Sequence, residues 1–137
     1  MRITSLKPNE RFVFGSNKAG RHGKGAALQA YKQFGAEYGV GEGLTGQCYA
    51  LPTLDKNFHK LPDAELRWHI AWFLNVAEQN PQLTFLLTKV GCRLAGYDEE
   101  YIKGIFLSMG LQSNVVMPDG WLPPVDSSES LPPVNSD

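Results

Sequence analysis

A buried apolar run that passes into a glycine-rich loop and then a helix constrains this fold more than any other sequence feature. Residues 11–14, Arg-Phe-Val-Phe, form the apolar run and predict a strand that ends at Gly15. A loop over 16–23 follows, rich in glycine and small polar residues. Apolar side chains then recur at the spacing of one helical face as far as Gly35, a residue that favours a helix C-terminus.

The rest of the chain continues this alternation of strands and helices. Pro62 and Asp63 suit the first turn of a helix whose apolar stripe runs to Asn80. Trp68 and Trp72 form a second stripe, which predicts that this helix is covered on more than one side. Further strands are predicted at 48–51, which Pro52 closes, at 83–87 and at 114–117. The last predicted helix follows Asp98 and ends at Gly110. The segments predicted to be irregular are 39–46, 53–61 and 90–97.

This alternation predicts an α/β fold, a three-layer α/β/α sandwich with a central mixed sheet. A chain of 137 residues is expected to form one domain. We expect that domain to span 1–117. From Pro118 onward proline and serine dominate and the apolar periodicity ends, so 118–137 is predicted to be a flexible tail.

Composition and charge argue against several classes of function. The formal net charge is -1, so there is no strong nucleic-acid signal. No run approaches 18 apolar residues, so no membrane span is expected. The first residues lack the apolar segment of a secretory signal, which predicts a cytoplasmic protein. Cys48 and Cys92 fit no metal spacing and are expected to be free thiols, and neither a metal nor a cofactor is predicted.

The first glycine-rich loop has the composition of an anion site. A loop that joins a buried strand to a helix exposes backbone N–H groups at the helix start, and these groups favour phosphate. Gly20, Gly23 and Gly25 allow a close approach of the ligand, and Lys24 adds positive charge. The spacing matches neither GxxxxGK[ST] nor GxGxxG. A tight connection without any ligand is the alternative.

Two polar residues of this loop have both a functional and a structural interpretation. His22 is either a general acid or base or an exposed loop histidine. Asn17 either donates a hydrogen bond to a ribose or closes a turn onto its own backbone.

A second glycine-bearing loop follows the strand at 83–87, and this repetition is the strongest functional signal. Loops at the carboxyl ends of strands in one sheet converge on a crevice where open α/β sheets bind ligands. Cys92 has no base partner in the sequence and is expected to be packed rather than nucleophilic. Arg93 either contacts a phosphate or lies in solvent, and Tyr97 either stacks on a ligand or covers the core.

Taken together, the two loops resemble the macro-domain family. Asn17 to Phe34, NKAGRHGKGAALQAYKQF, is similar to the family's first ligand loop and helix, and is closest to the branch of terminal ADP-ribose glycohydrolases. TKVGCRLAG, from Thr88 to Gly96, resembles the second loop, I-G-C-G-L-G-G. Tyr49 to Thr53 is similar to the strand that ends in N-x-P-T in that branch. The likeness spans Ile3 to Met117 and extends to phage and bacterial proteins that contain F-G-S-N-x-A-G-R-H-G.

The resemblance implies a role for each loop residue. Gly23, Lys24 and Gly25 would approach the diphosphate of an ADP-ribose-like ligand, while Asn17 and His22 would approach its distal ribose. The opposite side of the phosphates would be wrapped by Gly91, Cys92, Arg93, Leu94 and Ala95.

The chain departs from the family pattern at three positions, Arg2, Arg93 and Ala95. Arg2 stands where the family has an aspartate that recognises adenine, so the resemblance leaves the base open, including a ligand without adenine. Arg93 replaces a loop glycine. Lys56 follows the P-T strand, as a lysine does in the glycohydrolase branch, but Ala95 stands where that branch has an acid. The complete lysine–acid pair is therefore not carried over.

Three hypotheses of function follow. The first is a hydrolase that cleaves an ADP-ribosyl bond or ADP-ribose-1″-phosphate, with His22, Lys56 and His59 as the catalytic candidates. The second is a non-catalytic module that binds ADP-ribose or an ADP-ribosylated macromolecule. The third is an interaction module whose proline-rich tail docks to a partner.

Overall fold

A computed structural model describes residues 2–122 of the chain as an α/β protein. No helix in this part of the chain is long and apolar enough to cross a membrane. The elements are, in order, β1 (Glu10–Asn17), α1 (Gly25–Gln33), β2 (Gly43–Thr45), β3 (Cys48–Leu54), α2 (Asp63–Gln79), β4 (Thr84–Leu87), α3 (Glu99–Met109) and β5 (Val115–Val116).

The five strands form one mixed sheet in the order β2-β3-β1-β4-β5. β1 pairs in parallel with both β3 and β4, and β4 pairs in parallel with β5. The short edge strand β2 is antiparallel to β3. The expected α/β class with a central mixed sheet is therefore confirmed.

Both faces of the central strands are buried, because alternate residues of a strand point to opposite faces. On one face Phe12 and Phe14 of β1 pack with Ala27 and Ala30 of α1. On the other face Val13 of β1 belongs to a larger cluster that includes the buried sides of α2 and α3. α1 thus covers the face opposite to the one that α2 and α3 cover.

Phe73 of α2 lies at the centre of the larger cluster and is fully buried. Its ring centroid is 4.9 Å from that of Tyr49, 5.6 Å from that of Phe85 and 6.4 Å from that of Phe106. These partners come from β3, β4 and α3, so one side chain connects α2 to three other elements.

The observed helix ends agree with those predicted from the sequence, whereas the predicted burial of Trp68 and Trp72 is not observed. α2 begins at Asp63 and ends at Gln79, close to the predicted limits. Gly35 and Gly110 follow α1 and α3 with positive φ values, as expected of glycines at helix C-termini. The prediction that α2 is covered on a second side is wrong for the described residues: the Trp68 and Trp72 side chains are exposed and stack on each other.

β1 continues past Gly15, where the sequence predicted its end. Gly15 does not adopt a positive φ and makes no turn. A Cβ added at Gly15 would lie 3.0 Å from the backbone nitrogen of Gly91. The glycine therefore makes room for the loop after β4, and the strand runs on to Asn17.

Two further boundaries in the neighbouring strands were predicted wrongly. β3 continues through Pro52 to Leu54, and its register against β1 shifts beside the Ser16–Pro52 pair, where proline offers no N–H to the ladder. Residues 43–45 form β2 rather than irregular chain. A three-residue edge strand that contains glycine carries too little apolar periodicity to be recognised from sequence.

The folded chain also extends beyond residue 117, the predicted end of the domain. Trp121 is fully buried in the larger cluster, its ring centroid 5.9 Å from that of Phe106. Its indole N–H donates a 2.9 Å hydrogen bond to a carboxylate oxygen of Glu99. The remainder of the predicted tail, 123–137, lies outside the described residues.

We expect Phe73→Ala to lower the free energy of unfolding by about 3–5 kcal/mol, because it removes a fully buried ring that three other rings contact. The matched control is its neighbour Trp72→Ala. That variant removes an exposed ring and should cost at most about 1.5 kcal/mol, the range of one aromatic pair. Urea unfolding followed by circular dichroism measures both. Equal losses would contradict the central position of Phe73.

Candidate functional site

Three loops leave the sheet at the same edge, because β3, β1 and β4 are parallel neighbours. They are 18–24 after β1, 55–62 after β3 and 88–98 after β4. After β1 the chain passes to α1 on one face of the sheet, and after β4 it passes to α3 on the other face. Adjacent strands whose connections diverge in this way leave a crevice between their loops, and open α/β sheets bind ligands there.

The two glycine-rich loops meet at this position. We call the space between 17–25 and 88–98 the two-loop crevice. A Cβ added at Gly25 would lie 3.3 Å from Cδ1 of Leu94, and one added at Gly15 would touch Gly91. The structure therefore brings together the two glycine-rich segments that the sequence singled out.

The first half of loop 18–24 is held rigidly by the protein. The Asn17 side chain donates a hydrogen bond to the Arg21 carbonyl and accepts one from the Arg21 N–H, at 2.9 and 3.0 Å. Gly20 has a φ of 71°, and a Cβ there would overlap the backbone of Gly39. Asn17 thus closes a turn, the structural alternative that its sequence position allowed, and Gly20 is required by packing.

The second half of this loop is open to solvent. Gly23, Lys24 and Gly25 are exposed, and a Cβ at Gly23 would meet nothing within 4 Å. α1 begins at Gly25 without a side-chain cap and without an acidic residue in its first turn. Within the described chain, the amides of Gly25, Ala26 and Ala27 have no hydrogen-bond acceptor. These donors and the helix dipole remain available to an anion.

The second loop combines a partly buried glycine with an exposed tip. Gly91 has a φ of 76°, and a Cβ there would lie 2.9 Å from the Tyr97 ring. Arg93 and Leu94 are exposed, Leu94 to 71%, while Ala95 packs against the larger cluster. The tip therefore presents a cation and an apolar side chain beside the start of α1.

Of the two roles predicted for Tyr97, stacking on a ligand or covering the core, the structure shows the second. Its side chain is buried, and its hydroxyl donates a 2.8 Å hydrogen bond to the Thr53 carbonyl and accepts one from the Leu61 N–H. Tyr97 thereby fixes the second loop to the end of β3 and to the loop that follows β3.

Cys92 is half-buried and lies in the crevice wall without a base beside it. Its thiol donates to the Val90 carbonyl at 3.4 Å. Burial, together with the negative charge of Glu99, raises the pKa of this thiol to about 11. The thiol is therefore protonated at neutral pH, which agrees with a packed rather than a nucleophilic cysteine. Both Cys48 and Cys92 are free thiols.

His22 does not line an open site. It is fully buried between the rings of Phe14 and Tyr38, with centroids 5.1 and 5.6 Å away. Its Nε2 is 3.0 Å from the Val40 carbonyl oxygen, so Nε2 carries the proton that it donates. Nδ1 has no hydrogen-bond partner in the described chain. The predicted exposed alternative is wrong for His22, and its ring packs in the core.

The loop after β3 carries the other two catalytic candidates on the surface. Lys56 and His59 are both exposed. The Asp55 carboxylate accepts hydrogen bonds from the backbone N–H groups of His59 and Asn57, and these bonds hold its pKa below the usual range. His59 Nδ1 lies 3.8 Å from the same carboxylate. The loop is therefore fixed by its backbone, while both side chains point to solvent.

Lys56 lines a cleft that the sequence did not predict. This open cleft has a volume of about 410 Å³ and lies on the β3 side of loop 18–24. We call it the His69 cleft. It is lined by Lys18, Gly41, Glu42, Pro52, Lys56 and His69.

Charged groups from three elements converge on this cleft. His69 of α2 is buried, and its Nδ1 is 2.7 Å from a carboxylate oxygen of Glu42. Its Nε2 is 3.7 Å from a carboxylate oxygen of Glu65, which forms an ion pair with Lys18. A buried histidine held by a carboxylate at the wall of a cleft is a common arrangement at sites of proton transfer.

Sequence reasoning overlooked His69 and Glu42, although one signal was present. His69 is three residues after Leu66 and four before Phe73, so it shares the apolar face of α2 with them. A histidine on a buried face requires a polar partner. That partner, Glu42, is 27 residues away in a glycine-rich loop, so no spacing rule connects the two.

No family model, curated protein or solved structure matches this chain. Among residues 2–122, no group of three or more histidine, cysteine, aspartate or glutamate side chains is placed to hold a metal ion.

Two alanine substitutions in loop 18–24 should separate its rigid half from its open half. Gly20→Ala forces a side chain into the left-handed region and against Gly39, so it should lower the free energy of unfolding by about 1–3 kcal/mol. Gly23→Ala meets no neighbour and should leave stability unchanged or raise it by up to about 1 kcal/mol. Chemical denaturation measures both, and a larger loss for Gly23→Ala would contradict the loop geometry.

Alkylation tests the state of the Cys92 thiol. A pKa of about 11, against 9.0 for the ordinary thiol, lowers the thiolate fraction below pH 9 about 100-fold. We therefore expect iodoacetamide to modify Cys92 at pH 8 about 100-fold more slowly in the native protein than in urea, and the difference should narrow as pH rises from 9 to 11. Mass spectrometry of the Cys92 peptide measures the rate. Equal rates at pH 8 would indicate a reactive thiolate.

Proposed function

We propose that this protein is a macro-type α/β/α sandwich of the cytoplasm that binds ADP-ribose or a related nucleotide derivative in the two-loop crevice. We further propose that it hydrolyses the bond between the distal ribose and its substituent. The substrate is a free ADP-ribose-like molecule or an ADP-ribosylated macromolecule. The observation that carries the proposal is the convergence of two glycine-rich loops beside the uncapped N-terminus of α1.

The diphosphate is the part of the ligand that the geometry supports best. Free amides at Gly25, Ala26 and Ala27 match phosphate oxygens, and the helix dipole favours their charge. Lys24 and Arg93 are exposed, and neither forms an ion pair within the described chain. Both remain available to neutralise a ligand with two negative charges.

The shape of the crevice supports a bulky ligand rather than a single ion. Gly23 leaves open space where a side chain would otherwise stand, and the Leu94 side chain across the crevice is exposed to 71%. The exposed Leu94 side chain offers apolar surface beside the start of α1. A nucleotide offers phosphates to the amides and a ribose or base face to Leu94.

The base of the nucleotide is left open in this proposal. Arg2 is exposed and forms no hydrogen bond or ion pair within the described chain. Arg2 stands where the macro-domain family, which this chain resembles, has the aspartate that recognises adenine. A guanidinium donates but does not accept hydrogen bonds, so it favours a base edge that carries carbonyl oxygens.

A non-catalytic binding module is the second candidate, and two observations favour it. His22, a catalytic candidate, is fully buried between aromatic rings. The Cys92 thiol in the crevice wall has a raised pKa and is no nucleophile at neutral pH. Lys56 and His59 remain as catalytic candidates at the carboxyl edge, and turnover distinguishes the two functions.

Calorimetric titration with ADP-ribose, with AMP and ADP-ribose-1″-phosphate as comparisons, tests binding. Gly23→Leu should weaken ADP-ribose binding at least tenfold, about 1.4 kcal/mol, because its side chain fills ligand space at a position where an added Cβ meets nothing within 4 Å. The matched control is Gly104→Leu, at an exposed glycine of α3 that also meets no neighbour.

The outcomes separate the candidates. Binding that Gly23→Leu weakens and Gly104→Leu preserves would support the crevice, and release of free ADP-ribose from an ADP-ribosylated substrate would identify a hydrolase. Binding without product over hours would identify the non-catalytic module. No binding of any of the three ligands would overturn the proposal.

A further inference from the structure

His69 has one ring nitrogen engaged by the protein and one that is free. Its side chain is 8% exposed and lines the His69 cleft. Because a carboxylate only accepts hydrogen bonds, the 2.7 Å contact with Glu42 requires the proton on Nδ1. Nε2 of the neutral ring then carries a lone pair. The nearest charged group to Nε2, Glu65, is 3.7 Å away, beyond hydrogen-bonding distance.

The charges around the ring suit a group that gains a proton. Glu42 comes from the chain before β2, and Glu65 from the same helix one turn earlier. Lys18, from the loop after β1, pairs with Glu65. The two carboxylates compensate the positive charge that the ring acquires on protonation. Lys56, from the loop after β3, has no ion-pair partner in the described chain and leaves an ammonium group for a ligand.

The cleft and the two-loop crevice have a common wall. Lys18 lines the cleft and is the first residue of loop 18–24, whose other end carries Gly23 and leads into α1. The volume of about 410 Å³ falls within the range of small-molecule sites, about 300–1,000 Å³. Lys56, which has no ion-pair partner in the described chain, favours an anionic or phosphate-linked group.

We infer that the His69 cleft is the proton-transfer site for a phosphate-linked ribosyl substrate, with Nε2 of His69 as the general base. This inference rests on the proposed function. Glu42 is a positioning residue that holds the His69 tautomer. Lys56 binds the negative charge of the substrate or of the departing group.

The step is a hydrolysis with water as the only co-reactant. The water oxygen forms a bond to C1″ of the ribose while one water proton passes to Nε2 of His69. The bond between C1″ and the acceptor oxygen breaks, and its electron pair leaves with that oxygen. The departing oxygen takes a proton from solvent, and the imidazolium returns its own proton to solvent, which restores the neutral ring.

His69→Asn is the most direct test, because the asparagine amide nitrogen can occupy the position of Nδ1 and still donate to Glu42, whereas Nε2 is removed. We expect kcat to fall by about 10²–10⁴-fold, the usual contribution of a general base, with ADP-ribose affinity and thermal unfolding unchanged.

A second variant separates chemistry from structure. His69→Ala should lose the same activity and regain part of it when imidazole is added, because free imidazole can fill the space and accept the proton. Glu42→Gln should lower kcat with little change in KM, since it disturbs the tautomer without touching substrate. Glu78→Gln, at an exposed glutamate of α2 without an ion pair in the described chain, is the matched control and should keep full activity.

The outcomes distinguish this inference from the function on which it rests. Turnover that His69→Asn leaves intact, or a His69→Ala loss that imidazole fails to restore, would overturn the role of His69 while the hydrolase stands. Binding without turnover by the wild type would overturn both the hydrolytic function and this inference. No binding of ADP-ribose would overturn the proposed function as a whole.

Discussion

The structure depends on the burial of β1 from Phe12 to Phe14, in a strand that is paired along both edges and covered on both faces. Parallel pairing requires crossover connections, so the chain must pass over a face of the sheet each time it returns. α1 covers one face and α2 with α3 the other. This arrangement forces the loops after β3, β1 and β4 to emerge at one edge. The candidate residues of the two-loop crevice, together with Lys56 and His59, lie in or next to those loops, so the position of the crevice follows from the position of the strand.

In the loops at this edge, some residues are held by hydrogen bonds and close packing to the rest of the protein, whereas others are exposed to solvent. Asn17 and Gly20 fix the start of loop 18–24, and Gly91 and Tyr97 fix the second loop against β3. An added Cβ at Gly23 would meet nothing within 4 Å, and the amides at the start of α1 have no acceptor in the described chain. A site built in this way loses little conformational freedom when a ligand binds, because its backbone donors are already positioned. The glycines of these loops thus have two different roles. Gly20 and Gly91 are required because other parts of the chain approach them closely, whereas Gly23 leaves room for a ligand.

His22 and His69 show that the burial and the hydrogen-bond partners of a histidine determine whether it can act in proton transfer. The sequence favoured His22, because it lies in a glycine-rich loop, but its ring packs between Phe14 and Tyr38 and donates to a backbone carbonyl. His69 was overlooked within an apolar helical stripe, yet it meets Glu42 and the wall of a cleft. A histidine in a loop therefore need not reach solvent, and one on an apolar helical face need not be inert. The contacts that distinguish them join residues 18 and 27 positions apart, which no local pattern reports.

The α/β class, the three helices and the two glycine-rich loops were predictable from the amino-acid sequence, because they depend on side-chain periodicity and on glycine, which act within a few residues. The sequence did not determine the end of β1, the passage of β3 through Pro52, or the small edge strand, because these depend on which strand or loop lies alongside. The folded chain was needed to show that Gly15 makes room for Gly91 and that Trp121 belongs to the core. It was also needed to show that Glu42 and the Glu65–Lys18 ion pair lie beside His69. These contacts are long-range consequences of packing, and their energies exist only once the sheet has assembled.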